Sequence, residues 1–159
     1  MVLAAALWLG MANSSSAEQY ALTNWNGTEV TLVDLDSVRP VNGKNRFWAI
    51  SYNAPLEAQA RQYEYIRALY EVDCREMKIS LVQITTYDRN NKVIKTDNGE
   101  GAEMYIVPSS VAQFMVSPIC TPTTSKHYYI GKGGWSDPLM FARELISSVP
   151  NPNANSGDR

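Results

Sequence analysis

The sequence is poor in the residues that metal centres and hydrolytic sites use. Its 159 residues include two cysteines and a single histidine, His127. Structural zinc needs about four such ligands at short spacing, and a hydrolytic triad needs a histidine beside a nucleophile and an orienting acid. No Gly-x-Ser-x-Gly stretch supplies that nucleophile. We therefore predict no metal site, no cofactor and no enzymatic activity, and we interpret His127 as a solvent-facing side chain.

An excess of positive charge and a long apolar run are also missing. The sequence has 14 basic and 16 acidic residues, and the basic ones are scattered among acids, which argues against nucleic acid as a partner. No segment approaches the roughly 20 apolar residues of a membrane-spanning helix. With 45% hydrophobic and 19% charged residues, the composition is that of an ordinary folded domain rather than a disordered polypeptide.

The two ends of the sequence differ from its middle. Residues 1–17 carry no charge and run from Val2 to Leu9 through apolar side chains before a stretch of small polar residues. This pattern predicts a signal peptide cut after Ala17, although a short N-terminal helix is the alternative. No cysteine lies near that cut, so we expect a periplasmic or secreted protein without a lipid anchor. Residues 18–149 are predicted to form one domain, and residues 150–159 a disordered tail.

The two cysteines, Cys74 and Cys120, both lie in the predicted mature part. An even count after an export signal is most simply explained by a disulfide formed in an oxidising compartment. Closing a loop of about 45 residues removes roughly 4 kcal/mol of unfolded-state entropy in the chain-entropy model. A Cys-x-x-Cys pair, which would indicate redox chemistry, is not present. We predict a Cys74–Cys120 disulfide.

The middle of the sequence shows repeated strand patterns separated by short turns. An Asn-Gly pair at Asn42 predicts a tight reversal, and alternation in the fourth stretch puts Cys74 on the buried face. Stretches with strand character are 28–36, 46–52, 67–74, 77–87, 93–95 and 104–107. Their order predicts an α+β fold, with an antiparallel sheet of about six strands in meander order.

Helical signals are fewer than strand signals. Residues 55–66 contain good helix formers without a clear apolar stripe, so they form a short helix or an irregular crossing. Pro108 to Ser110 introduces a helical turn over 111–115. Ser136 to Pro138 has the features of an N-cap and a first turn, and the apolar stripe of 139–149 indicates a helix that docks on something. We expect one or two helices packed on the sheet.

Several polar or aromatic groups are candidates for a site. Acids two apart, Asp34 with Asp36 and Glu71 with Asp73, share the polar face of a strand and do not indicate acid–base catalysis. The oxygen-rich stretch from Asp88 to Asn91 is typical of a turn and lacks the glycine and final acid of a calcium loop. The glycines of 131–134 lack the spacing of a phosphate loop. Trp135, between these glycines and a helix start, is the candidate partner contact.

A set of short motifs follows one order along the sequence: Leu32–Val38, Arg46–Trp48, Tyr70–Cys74, Tyr87–Asn90, Val107–Ser110 and the closing Cys120. This ordered set resembles the surface-adhesin protein E family of bacterial envelope proteins. The resemblance covers about residues 28–120. It implies an antiparallel sheet of about six strands with a helix across one face, an envelope location, and adhesion to extracellular proteins for the family's name-giving member. Residues 121–149 fall outside it.

Two functional hypotheses follow. The first is an exported, non-enzymatic binding or adhesion domain of unknown ligand, whose expected partner is an extracellular or envelope protein. The second is a structural or accessory periplasmic domain that docks to an envelope assembly through its C-terminal helix. The choice depends on whether the apolar stripe of that helix packs in the core or faces solvent.

Overall fold

The computed structural model describes residues 19–123, 128–130 and 137–148. In these ranges the strands are β1 Tyr20–Trp25, β2 Glu29–Val41, β3 Lys44–Asn53, β4 Tyr65–Asp73, β5 Lys78–Tyr87, β6 Val93–Asn98, β7 Met104–Tyr105 and β8 Tyr128–Ile130. The helices are α1 Pro55–Arg61, α2 Val111–Cys120 and α3 Pro138–Ser147. The predicted α+β class and antiparallel meander are confirmed.

These eight strands belong to one sheet. Strands β1 to β6 pair as consecutive antiparallel neighbours, and the order across the sheet is β6-β5-β4-β3-β2-β1-β8. Strand β7 pairs with the same edge of β5 as β6 does, at the other end of β5. Strand β1 was not predicted from sequence. Its burial does not alternate, because Tyr20 and Ala21 are both buried and a bulge between Leu22 and Asn24 shifts its register with β2.

Turn residues behave as their chemistry predicts. Asn42 and Gly43 both have positive φ, 51° and 81°, as the hairpin between β2 and β3 requires. In the β5–β6 turn, a carboxylate oxygen of Asp88 accepts the backbone N–H of Asn90 at 2.8 Å and of Lys92 at 2.9 Å. The predicted turn at residues 88–92 is therefore closed by the aspartate side chain.

Helices α2 and α3 cover opposite faces of the sheet. Adjacent β2 residues separate accordingly: Leu32 packs in the cluster under α3 and Val33 in the cluster under α2, since strand side chains alternate. The cluster under α3 contains Tyr20, Val30, Leu32, Ile50, Tyr52, Tyr65, Ala142 and Ile146. The cluster under α2 contains Val33, Phe47, Ala49, Val72, Ile79, Ile106, Met115 and Val116. The sheet is therefore the middle of three layers.

Helix α2 runs further than the predicted turn over 111–115. Its N-cap is Ser110, whose hydroxyl accepts the N–H of Gln113 at 3.3 Å, and the helix continues through Pro118 to Cys120. A proline inside a helix removes one backbone donor. The carbonyl of Phe114, four residues before Pro118, accepts the Ser117 hydroxyl at 3.0 Å instead, which allows the helix to continue.

The disulfide joins this helix to the sheet. Cys74 directly follows β4, Cys120 is the last residue of α2, and their Cα atoms are 5.3 Å apart. The predicted pairing is confirmed. The bond fixes the C-terminal end of α2 at the end of β4, above the cluster that contains Val72 and Val116.

Candidate interaction surface

Two of the acids considered for catalysis, Asp34 and Asp73, bind backbone N–H groups instead. Asp34 Oδ1 accepts the N–H of Asp36 and of Ser37, each at 3.1 Å, where β2 shifts register against β3. Asp73 Oδ1 accepts the N–H of Arg75 and Glu76 in the turn after β4, and these bonds hold the pKa of Asp73 below its usual value. Both aspartates are structural acceptors.

Glu71 pairs across the sheet. It lies opposite Arg46 in the β3–β4 register, and Arg46 Nε donates to its Oε1 at 3.0 Å. Opposite charges on directly facing residues stabilise neighbouring strands by a few tenths to about 1 kcal/mol. The Glu71–Asp73 pair therefore forms no two-carboxylate site, since each acid has a different partner.

Among the described residues, Tyr52 on β3 has a strongly raised pKa. Burial, together with the hydrogen bond that its hydroxyl donates to Glu64, raises the pKa of Tyr52 to about 12. Arg143 of α3 donates from Nε to the Tyr52 hydroxyl at 3.1 Å, and its guanidinium lies 5.7 Å from the centre of the ring. A phenol with this pKa stays protonated at neutral pH and cannot act as a base. The three groups tie α3 to the sheet.

Clusters of metal ligands and membrane-spanning helices are both absent from the part of the protein that the structure describes. In residues 19–123, 128–130 and 137–148, no three His, Cys, Asp or Glu side chains come together as metal ligands would. Within the same ranges, no helix has the length and hydropathy that crossing a bilayer requires.

The exposed surface of β7 and α2 is unusually apolar. Five large apolar side chains of the segment 104–114 are between 47% and 73% exposed: Met104, Tyr105, Val107, Val111 and Phe114. We call these five residues the apolar face, which extends around the edge strand β7. Met104 lies opposite Ile79, a residue of the cluster under α2, whereas Tyr105 lies opposite Lys78 and points to the other side of the sheet. Val111 and Phe114 are three apart on α2 and thus neighbours on its surface. Contiguous exposed apolar patches are uncommon on monomeric proteins and mark interaction sites.

Helix α2 has no charged residue. Met115 and Val116 are buried against the sheet, while Val111 and Phe114 face solvent. A surface helix of a globular protein normally puts charged and polar groups on its outer side. The outer side of α2 has the composition of an interface rather than of a solvated surface.

Charged residues border the apolar face at its β7 end. The ammonium of Lys78 lies 5.0 Å from the centre of the Tyr105 ring. Lys44 pairs with Glu103, next to Met104, and this pairing holds the pKa of Glu103 below its usual value. An apolar centre with a polar rim is the usual anatomy of a protein–protein interface.

The apolar face rests on rigid structure. Ile106, in the middle of the segment, is buried, and its N–H donates to the carbonyl of Met77 at 2.8 Å. Met115 and Val116 anchor α2 in the core, and the disulfide at Cys120 fixes its last turn. A surface held in place before binding loses less conformational entropy on association.

The sequence predicted a strand at 104–107 and a helical turn at 111–115, but not that their side chains are exposed. One signal was available: residues 104–124 contain no charged side chain. Among the aromatic residues of the sheet, Tyr52 is buried, Trp48 and Tyr70 are half-buried, and Trp25 is 48% exposed.

Other predicted features lie outside the described residues. They are the signal peptide, the C-terminal tail, His127, the glycines of 131–134 and the candidate contact Trp135. They remain predictions from sequence.

Comparison with known proteins gives one match. The family model for surface-adhesin protein E matches residues 20–121, more than half of the sequence. The matched region starts at β1, earlier than the resemblance found from motifs, and ends just after α2. It includes the disulfide and the whole apolar face. No curated protein and no solved structure matches.

Proposed function

Because the protein belongs to the surface-adhesin protein E family, we propose that it is an exported, non-enzymatic domain that binds a protein partner through its apolar face. The observation that carries this proposal is the uncharged helix α2, whose exposed side adds Val111 and Phe114 to the exposed residues of β7. Aromatic residues and methionine are enriched in protein interfaces, where a few of them supply most of the binding energy.

Export is supported by the disulfide, which persists in oxidising compartments, and by the signal-peptide pattern of residues 1–17. We expect protein purified from the periplasm or medium of the native host to begin at Glu18 and to contain no free thiol. Intact mass with thiol quantification checks this. Retention of Met1 together with two reactive thiols would contradict export.

The absence of turnover is supported by the roles of the titratable groups. Asp34 and Asp73 bind backbone N–H groups, Glu71 pairs with Arg46, and Tyr52 remains protonated between Glu64 and Arg143. A catalytic acid or base needs a free position in contact with substrate and a pKa near the working pH. These groups instead have structural partners.

The alternative function is docking to an envelope assembly through α3. The structure places Ala142 and Ile146 of this helix in the core, with Leu139 and Leu145 packed against the same cluster. An apolar stripe that is buried in its own domain is not available to another protein. This packing favours the apolar face over α3 as the binding surface.

The proposal is tested by removing apolar area without disturbing the core. The double variant Met104→Ser/Phe114→Ser truncates two exposed side chains on the α2 side, and Leu56→Ser is the matched control, since Leu56 is 65% exposed on α1. Surface plasmon resonance is run against a panel of purified extracellular-matrix, serum and envelope proteins. We expect a partner whose affinity falls at least about tenfold with the double variant and stays unchanged with the control.

Thermal unfolding of both variants confirms that the fold is kept. If the double variant binds as tightly as the unmodified protein, or if Leu56→Ser weakens binding equally, the apolar face is not the binding surface.

A further inference from the structure

A second site lies on the opposite side of the sheet, below the start of α3. A cavity of about 220 Å³ separates the N-terminus of α3 from the sheet. Its walls include Ile50 and Tyr65 from the sheet and Leu139 from the helix. Arg67, from β4, also lines the cavity and supplies the positive charge. This volume is below the about 300–1,000 Å³ of pockets for drug-sized ligands and suits a single side chain or the last residue of a peptide.

The guanidinium of Arg67 has a hydrogen-bond donor that lacks an acceptor. Its Nε is buried and has no hydrogen-bond partner within the described ranges. The guanidinium carbon lies 5.8 Å from the centre of the Trp48 ring, a cation–π contact that gives the Nε–H no acceptor. Buried polar groups are nearly always hydrogen-bonded, because an unpaired donor loses its solvation without compensation. Nε itself is enclosed by protein atoms, so a ligand in the cavity would bond the terminal N–H groups of the same guanidinium.

An acid at the rim limits what the cavity can accept. Asp137 also lines it, and its Oδ1 accepts the N–H of Leu139 at 2.8 Å and of Met140 at 3.4 Å as the N-cap of α3. One positive and one negative charge therefore border the same small space. A dianionic phosphate would be repelled by Asp137, whereas a single carboxylate can bond Arg67 and keep its apolar part against Ile50 and Leu139.

We propose that this cavity is a carboxylate-binding pocket, in which Arg67 bonds the acidic group of a glutamate or aspartate side chain or the terminal carboxylate of a peptide. Arg67 provides a planar donor group that matches a carboxylate, and the hydroxyl-bearing ring of Tyr65 forms part of the wall. The pocket lies at the N-terminus of α3, whereas the apolar face is formed by the edge strand β7 and by α2, and the two share no residue. The proposal therefore does not depend on the function proposed above.

The test is an NMR titration of the full-length protein, which follows the Arg67 Nε–H resonance and the backbone amides of β4 and α3. The probes are propionate, its neutral counterpart propionamide, and inorganic phosphate. We expect saturable shifts centred on Arg67, Tyr65 and Leu139 with propionate, and weaker binding of both other probes. The variant Arg67→Gln should bind propionate at least about tenfold more weakly, because the charge-assisted bonds are lost.

The matched control is Arg46→Gln, which removes an arginine of the neighbouring strand that already pairs with Glu71; propionate binding should be unchanged. Acetyl-glutamate amide and acetyl-glycine then distinguish a side-chain carboxylate from a terminal one, and the tighter ligand identifies the source. If propionate gives no saturable shifts at the cavity, or if propionamide binds equally well, the proposal is wrong. Because propionate and propionamide are compared on the unmodified protein, this comparison tests the pocket even if Arg67→Gln does not fold.

Discussion

At the scale of single residues, acidic side chains hold the backbone and the neighbouring strands together. Asp88 closes the β5–β6 turn and Asp73 the turn after β4, each through backbone N–H groups. The turn at Asp88 was predictable, because an aspartate bonds N–H groups two to four residues further on. The Tyr52–Glu64–Arg143 contact was not, since Tyr52 and Arg143 are far apart in sequence and meet only when α3 packs on the sheet.

The Tyr52 hydroxyl gives the first prediction. Tyr52→Phe removes the group that bonds Glu64 and Arg143 and should lower the free energy of unfolding by about 1–2 kcal/mol. Urea denaturation at neutral pH measures the loss. Tyr105→Phe is the control, because Tyr105 is exposed on the surface. Equal stability of Tyr52→Phe and the unmodified protein would show that this contact contributes nothing.

The same residue predicts a pH dependence. Its pKa is raised from an ordinary value of 10.0 to about 12 in the folded protein, so the folded state binds the phenolic proton more tightly than the unfolded polypeptide. The stabilisation is fully present below pH 10 and is lost as the pH rises to about 12. Denaturation curves across this range should show falling stability, with a shallower slope for Tyr52→Phe. An identical slope for both proteins would contradict the assignment.

At the scale of elements, the sequence indicated where helices begin and where the chain turns, but not which side chains a distant helix would bury. Ser110 and Asp137 both act as N-caps, as their sequence contexts indicated. Arg67 lies on the face of β4 opposite to Val72, as the alternation of side chains in a strand requires. That face is partly covered by α3, so Arg67 is half-buried. Alternation predicts which residues share a face, but not whether a helix from distant sequence covers it.

The disulfide between β4 and α2 gives an element-scale prediction. The double variant Cys74→Ser/Cys120→Ser should lose about 2–4 kcal/mol of stability. It should also expose the amides of α2 to faster hydrogen exchange, because that helix then depends on its core contacts, chiefly Met115 and Val116, for its attachment. Reduction of the unmodified protein is the matched control and should give the same loss. Unchanged stability and exchange would mean that the core contacts of α2 suffice.

Helix α3 gives a second prediction at this scale. Ala142 is fully buried and Met140, two residues earlier, is 57% exposed. Ala142→Asp places an unpaired charge in the core and should cost more than about 3 kcal/mol or unfold the domain. Met140→Asp should change stability by less than about 0.5 kcal/mol. Thermal unfolding measures both changes. If both variants were stable, α3 would not be a core element, and docking through this helix would regain support.

At the scale of the whole molecule, the three-layer arrangement separates two surfaces. The apolar face is formed by α2, whose last residue is held by the disulfide, and by the neighbouring edge strand β7. The α3 side carries the cavity with Arg67. The sequence predicted the sheet and its helices, but it did not say that the two helices lie on opposite faces, because that depends on which cluster each apolar stripe joins. Both candidate surfaces follow from that placement.

The most direct test of the apolar face as the binding surface is hydrogen–deuterium exchange of the full-length protein with and without a partner found in the binding panel. We expect added protection confined to residues 104–115, with the amides of α3 unchanged. Protection centred on 137–148, with none in 104–115, would contradict this assignment and favour docking through the C-terminal helix.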